Sequence, residues 1–265
     1  MDIKAVVDQE VGVVDFLHQK SGLKKARVKE AMQKGAVWLT PAKQRRAKRI
    51  RRADRQLEAG DTIDLYYASH VLDSIPPPPE LLVDEDAYSL WYKPSGLMSS
   101  GSRYGDHHSI VRWVEQHLDR TTFLVHRLDR FTRGLMVLAH SKTAAGALAQ
   151  QFRERSVIKR YQARVEGLLK GEHRISVPVG GKPAVSNVQV LLSGAESLVE
   201  VHIETGRKHQ IRQHLAHIGH PVVGDVAYGD AAEGDLQLIS VSLGFCCPVS
   251  QEQRRYELPV EYRFA

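Results

Sequence analysis

Two rhythms of apolar positions run along the chain. In the first third the rhythm is helical. Val13, Phe16 and Leu17 share one face of a helix predicted over 12–20, which Ser21 and Gly22 break. Ala26, Val28, Ala31 and Met32 give a second helix over about 23–34 its packing face, with Gly35 as the stop. Residues 36–40 then read as a strand, and after the Gly60-Asp61 turn Ile63, Leu65 and Tyr67 alternate as in a half-buried strand. Pro76-Pro77-Pro78-Pro79 favours an extended, semi-rigid spacer. Beyond it, period-two strands are predicted over 81–84, 88–92, 161–165 and 198–203. Helices interrupt them over 110–117 and 141–155, the latter capped by Ser141 with Ala144, Ala145, Leu148, Ala149 and Phe152 at helical spacing. Residues 205–215 turn into another helix, with Ile211, Leu215 and Ile218 on one face and Gly219 at its end. This mixed order predicts an α+β fold with a mainly antiparallel sheet in the larger domain and a small α/β domain before it. The expected boundaries are 1–70, a linker over 71–80, and 81–265.

At 265 residues the chain is long enough for such a division, and its 42% hydrophobic and 26% charged content is that of a globular protein. No apolar run approaches the ~18–20 residues of a membrane span. The start, Met1-Asp2-Ile3-Lys4, lacks a signal-peptide pattern. Cys246 and Cys247 are adjacent and form no disulfide framework; they read as buried structure, and a cytoplasmic location is expected.

Charge changes the picture more. Lys and Arg exceed Asp and Glu by 15 to 9 in residues 1–70 and balance them at 22 each in the remainder, so the whole net charge of +6 belongs to the front of the chain. Such asymmetry points to a polyanion, nucleic acid above all, rather than to a merely solvated face. The candidate patch is Lys24, Lys25 and Arg27 on the second helix, with Lys43, Arg45, Arg46, Lys48, Arg49, Arg51 and Arg52 beyond the strand. The helix–helix–strand order with "GAVWLT" and "GDTIDLYY" over 12–67 resembles the small alpha-L RNA-binding domain. The basic insertion at 43–55 departs from the short form of that motif, as a longer hairpin or as an arm that orders on RNA.

The chemistry concentrates in His126-Arg127-Leu128-Asp129-Arg130-Phe131-Thr132-Arg133-Gly134, a polar loop between two apolar segments. Taken alone, Asp129 among arginines fits either a catalytic carboxylate or a structural ion-pair network. Four stretches in order decide it: "YKPSGL" at 92–97, "HRLDRFTRG" at 126–134, "KRYQARVEG" at 159–167 and "TGRKHQIRQHLAHIGHPVVGDVAYG" at 205–229. Over about 81–242 they resemble the RluA family of RNA pseudouridine synthases, departing from its central signature where Arg133 replaces the usual Ser.

The resemblance implies that an RNA uridine is flipped out, its base detached, rotated and reattached through carbon 5. Asp129 is implied as the group that attacks the anomeric carbon or removes the neighbouring ribose proton, two roles the sequence leaves open. Arg212 is implied as its cationic partner, and Tyr161 as the aromatic against the target base. Arg127 would fill the vacated space and Arg207 would contact phosphate or shape the pocket. Leu238 and Ile239 would lie beneath the uracil, with His126, Leu128, Thr132 and Lys93 as further substrate contacts. The implied partner is ribosomal or transfer RNA, with the chain a monomer and no metal or organic cofactor. A noncatalytic RNA-binding or ribosome-assembly factor on the same fold is the alternative, with a hydrolase of another glycosidic bond behind it. His209, His214, His217 and His220 include i,i+3 pairs but lack a Cys or carboxylate at ligand spacing, so no metal site is expected.

Overall fold

The computed structural model describes residues 1–230 and 234–264, which divide into two units, Met1–Pro76 with Ser100–Arg112, and Pro77–Ser99 with Trp113–Ala265. In the first unit the order is β1 (Asp2–Val6), β2 (Val11–Gly12), α1 (Val13–Ser21), α2 (Lys25–Gln33), β3 (Val37–Thr40), β4 (Lys48–Arg49), β5 (Gln56–Leu57), β6 (Thr62–Tyr66) and α3 (Ser69–Leu72). An antiparallel sheet β1-β6-β3-β4 and the pair β2-β5 pack with the helices around Leu17, Val28, Met32, Val37, Ile63 and Leu65, all fully buried. Leu72 joins this core, so the expected linker begins as a helix of the first unit instead. The basic insertion is not a free arm: β4 pairs back onto β3, Arg49 opposite Trp38.

The first unit also takes in residues 100–112, which the sequence assigned to the larger domain. The reason is electrostatic. Asp106 accepts from Arg49 Nη1 at 3.2 Å and from Arg51 Nη2, Arg49 also donates to Ser102 O, and Trp38 Nε1 donates to Arg103 O at 3.1 Å. Two half-buried guanidinium groups sharing one carboxylate hold the segment better than an exposed pair does.

The second unit contains β7 (Glu80–Asp84), β8 (Tyr88–Lys93), most of α4 (Ile110–Leu118), β9 (Phe123–Leu124), β10 (Arg133–Ala139), α5 (Lys142–Glu154), β11 (Ile158–Glu166), β12 (Glu172–Ile175), β13 (Ser186–Leu192), β14 (Glu196–Ile203), α6 (Gln210–His217), β15 (Leu238–Cys246) and β16 (Gln253–Glu257). Ten strands form one sheet in the order β12-β13-β14-β11-β15-β10-β8-β7, with β16 on β15 and β9 on β10. Every pairing is antiparallel except β10 with β15, so the expected mixed, mainly antiparallel α+β architecture is the observed one. Ser141 caps α5 by accepting from Ala144 N at 3.1 Å, and Ala144 and Leu148 bury its apolar face on Leu135, Val137, Ile239, Val241 and Leu243.

The parallel contact is only two residues long, Arg133 opposite Ile239 and Gly134 opposite Ser240. There the two halves of the sheet meet, and the Asp129 loop leads directly into the junction. A Cβ on Gly134 would lie 2.2 Å from Ser240 O, and Gly134 has φ +108°, so only glycine allows the approach. On the next strand Tyr161 also pairs with Ser240, just after a bulge between Arg160 and Tyr161. The row Gly134, Ser240, Tyr161 thus carries the loop, the floor strand and the aromatic in fixed order.

His126, read as a substrate contact, instead serves this half of the sheet. Its ring stacks on Phe152 with centroids 4.6 Å apart, and its Nε2 accepts from Val137 N at 3.0 Å, which fixes the proton of the neutral ring on Nδ1. Loss of water around the ring, reinforced by the Lys159 charge, pushes its pKa down to about 3.

Two outcomes follow. Gly134→Ala should lose about 3 kcal/mol or more of stability, read as a lowered urea midpoint at unchanged m. Between pH 6.5 and about 3 the unfolded chain binds a proton at residue 126 that the folded chain refuses, so stability falls as pH falls through that window. His126→Gln, which keeps an acceptor for Val137 N, should flatten this acid slope by at most about 1.4 kcal/mol per pH unit in urea titrations. An unchanged slope would remove the neutral imidazole from the account.

Candidate active site

The loop that carries Asp129 is pinned from below. Lys93, fully buried at the end of β8, donates Nζ to Leu97 O at 2.7 Å, Pro94 O at 3.0 Å and Arg130 O at 3.1 Å. Gly96 N adds a bond to Arg130 O at 2.9 Å. Ser99 Oγ both receives from Leu128 N (3.0 Å) and donates to Leu128 O (2.7 Å). Burial pushes the Lys93 pKa down to about 7 against the opposing pull of Asp129. Lys93 therefore holds the loop in place; the substrate contact expected of it is not what its amine makes.

Above the loop lies a cavity of about 320 Å³. Arg127, Leu128, Asp129 and Thr132 line it from the loop, Tyr161 from β11, Ile203 from β14, Leu238 from β15, and residues 206–212, Arg207 and Arg212 among them, from the start of α6. Sheet alternation explains which strand residues face it. Tyr161 opposes Ser240, and Leu238 lies two residues before Ser240 on the same side. Ile239 points the other way, into the core under α5, and so is not beneath the cavity as expected. Arg133 likewise turns away. Its Nη1 lies 3.7 Å from Asp235 and its Nη2 donates to Gln237 Oε1 at 3.4 Å, with the guanidinium 4.8 Å from the Phe264 ring.

Asp129 has a side chain 31% exposed, with His209 Nε2 3.8 Å from its Oδ1. The expected Arg212–Asp129 pair does not form. Arg212 makes a buried two-pronged bond to Asp225, Nε to Oδ2 at 2.7 Å and Nη2 to Oδ1 at 2.5 Å. Asp225 is the better partner because its turn fixes the carboxylate, with Ala227 N and Tyr228 N donating to Oδ1 at 2.9 and 3.1 Å. Burial works to raise the Asp225 pKa, but Arg212 and these two N–H groups outweigh it and hold it below the usual carboxylate range. Arg212 still lines the cavity.

His209 begins α6 in a left-handed conformation, φ +56°, which turns its ring between Asp129 and the Tyr228 hydroxyl, the latter 3.0 Å from Nδ1. Burial lowers its pKa while the Asp129 charge opposes the shift and Arg212 adds to it. Burial, and after it the Asp129 charge, push the Tyr161 hydroxyl pKa up, so the phenol stays protonated. Arg207 donates Nε to Pro183 O at 3.1 Å, which fixes its stem at the rim. The arrangement offers an ionisable carboxylate, a neutral phenol and an apolar floor around a space of nucleoside size.

Sequence reasoning gave no role to Asp225, Tyr228, Ser99 or Ile203. Asp225 and Tyr228 stand within the quoted "VVGDVAYG" run, but only the fold brings them back to Arg212 and His209. Of the other histidines, His214 bonds Ser186 Oγ and Val177 O, and His220 bonds Glu166 O.

In the first unit the basic patch divides. Arg27 is held by Tyr67, Glu30 and Asp73, and Arg49 and Arg51 by Asp106. Those three are structural cations. Lys25 pairs with Asp15 and Arg52 with Asp54 at exposed positions, while Lys24, Lys43, Arg45, Arg46 and Lys48 also project into solvent.

Comparison with known proteins gives the chain a family. A family profile described as RNA pseudouridylate synthase matches residues 87–217. The dual-specificity RNA pseudouridine synthase RluA of Vibrio vulnificus is 33% identical over 226 residues, covering 72% of this chain and 88% of that protein. The ribosomal large subunit pseudouridine synthase C of Vibrio cholerae is 30% identical over 283 residues, covering 92% and 87%. Among solved structures, human RNA pseudouridylate synthase domain containing 1 has the same fold, with a TM-score of 0.60 at 22% identity over 71% of this chain and 87% of that one. With a relative of this identity matched over most of its length, the chain belongs to the RluA family of RNA pseudouridine synthases.

Proposed function

We propose that this enzyme converts uridine in ribosomal or transfer RNA to pseudouridine in the cavity above the Asp129 loop. The observation that carries the reading is the convergence of Asp129, Tyr161, Leu238, Arg127 and Arg212 on one space, from four separate stretches of chain. A uridine inside a helix cannot reach such a space, so the nucleotide is flipped into it. Arg127, exposed at the rim, takes the vacated position with its planar guanidinium. Tyr161 and Leu238 hold the uracil, Leu128 and Thr132 close the loop side, and Arg207 meets the backbone. Asp129 acts on the ribose, either at the anomeric carbon or on the neighbouring proton. The reaction exchanges a carbon–nitrogen for a carbon–carbon bond with no change in redox state, so the chain's own acid and base groups suffice without metal or organic cofactor. The exposed lysines and arginines of the first unit track RNA phosphates without reading sequence. The chain works as a monomer in the cytoplasm.

The relative named for the ribosomal large subunit favours ribosomal RNA of the two classes. Asp129→Asn should reduce tritium release from carbon-5-labelled uridine RNA by about a thousandfold or more while filter binding changes only a few-fold. Release at the parental rate would dismiss the mechanism. Replacing Lys43, Arg45, Arg46 and Lys48 together with Gln should lower the slope of log affinity against log salt by about 0.7–0.9 for each phosphate no longer neutralised. An unchanged slope would take the insertion out of RNA binding.

A further inference from the structure

Phe131 is out of keeping with the loop it belongs to. Between Arg130 and Thr132, two residues from Asp129, it leaves 48% of a large apolar side chain in solvent. A lone exposed aromatic carries no message by itself. The backbone that carries this one is pinned. Phe131 O accepts from Ser95 Oγ at 3.3 Å, Arg130 Nε donates to Gly96 O at 3.1 Å, and Arg130 O is the acceptor already described for Lys93 and Gly96. The Arg130 guanidinium lies 5.3 Å from the ring centroid. Asp129 and Thr132, on either side of the pair, line the cavity, whereas Arg130 and Phe131 do not. With Cα atoms about 3.8 Å apart along the chain, the Cα of Phe131 is at most about 7.6 Å from that of Asp129. That is the reach of the nucleotide next to whichever one occupies the cavity.

Arg127 covers the gap left by the flipped nucleotide, but in a loop the unpaired neighbour still has a second face open. Unpaired bases stack on aromatic side chains whatever their identity, and a neighbouring arginine adds a second plane and a charge for phosphate. A ring kept half in water, on a backbone that cannot collapse inward, beside such a guanidinium, is built for a flat partner. We propose that Phe131, backed by Arg130, forms a stacking subsite for an unpaired nucleobase flanking the target uridine. This rests on the reading of the Asp129 cavity as the uridine site, and it gives the chain a contact outside that cavity which favours loops over continuous helices.

The test uses the full-length enzyme and a short RNA hairpin with one uridine in its loop, each other loop nucleotide in turn made abasic. Dissociation constants are measured for the parent, Phe131→Ala and Phe131→Tyr. One abasic position should weaken the parent roughly tenfold or more, Phe131→Ala should weaken the intact hairpin by the same factor, and the two losses should not add. Phe131→Tyr, which keeps a ring, should restore binding. On total RNA from cells lacking the gene, tritium release by Phe131→Ala should show a KM raised by a similar factor with kcat within about threefold. Additive losses, parental binding by Phe131→Ala, or a fall in kcat at constant KM would overturn the subsite. Absence of tritium release by the parent enzyme would overturn the uridine-site reading instead, and the binding cycle would still decide Phe131 on its own.

Discussion

The catalytic unit depends on one close approach of two backbones. β10 and β15 touch in parallel over two residues only, and the contact closes because Gly134 has no Cβ where Ser240 O lies. Parallel neighbours need a long crossover, which the intervening strands and helices supply. The result is that the loop before Gly134 and the strand start at Leu238 arrive at the same place from opposite ends of the unit. Tyr161, paired with the same Ser240 from the other side, completes the row. Moving any member would shift the carboxylate against the surface that receives the base, and misplacement by about 1 Å is enough to damage catalysis.

Electrostatics then separate groups that hold the site from groups left to react. Arg212 and Asp225 satisfy one another, buried and two-pronged, and Lys93 spends its donors on three carbonyls. Among the described residues Asp129 has no such pairing; a histidine whose pKa is depressed by burial lies 3.8 Å away. A carboxylate locked into a guanidinium fork would have to break two charge-assisted bonds before acting. Leaving Asp129 partly exposed beside a fixed ion pair leaves its oxygens free of charge-assisted bonds.

Much of this was legible in the sequence, for reasons that also mark the limit. Helical spacing and Ser141 placed α5, period-two runs placed β8, β11 and β14, and the four motif stretches named most of the residues around the cavity. Strands with few buried positions escaped: β1 and β13 have mostly partly exposed or exposed positions, and only their neighbours make them strands. Side-chain direction escaped as well. His126, Ile239 and Arg133 are adjacent in sequence to cavity residues, yet alternation and a core partner turn each away. The Arg212–Asp129 pairing failed because a one-dimensional motif cannot show that Asp225 lies closer.

The same limit applies to charge. All the excess positive charge lies in the first 70 residues, but Arg27, Arg49 and Arg51 are spent on Glu30, Asp73 and Asp106 within their own unit. What remains of the candidate patch for phosphate is the exposed set at 24–25, 43–48 and 52, part of it paired loosely at the surface. Surface pairs of that kind contribute little to stability, so exchanging their carboxylate for a phosphate costs the fold almost nothing. The half-buried arginines are the opposite case: releasing Asp106 would leave two desolvated cations without a counter-charge. A basic segment therefore holds two populations that composition counts alike, one that builds the unit and one free to bind.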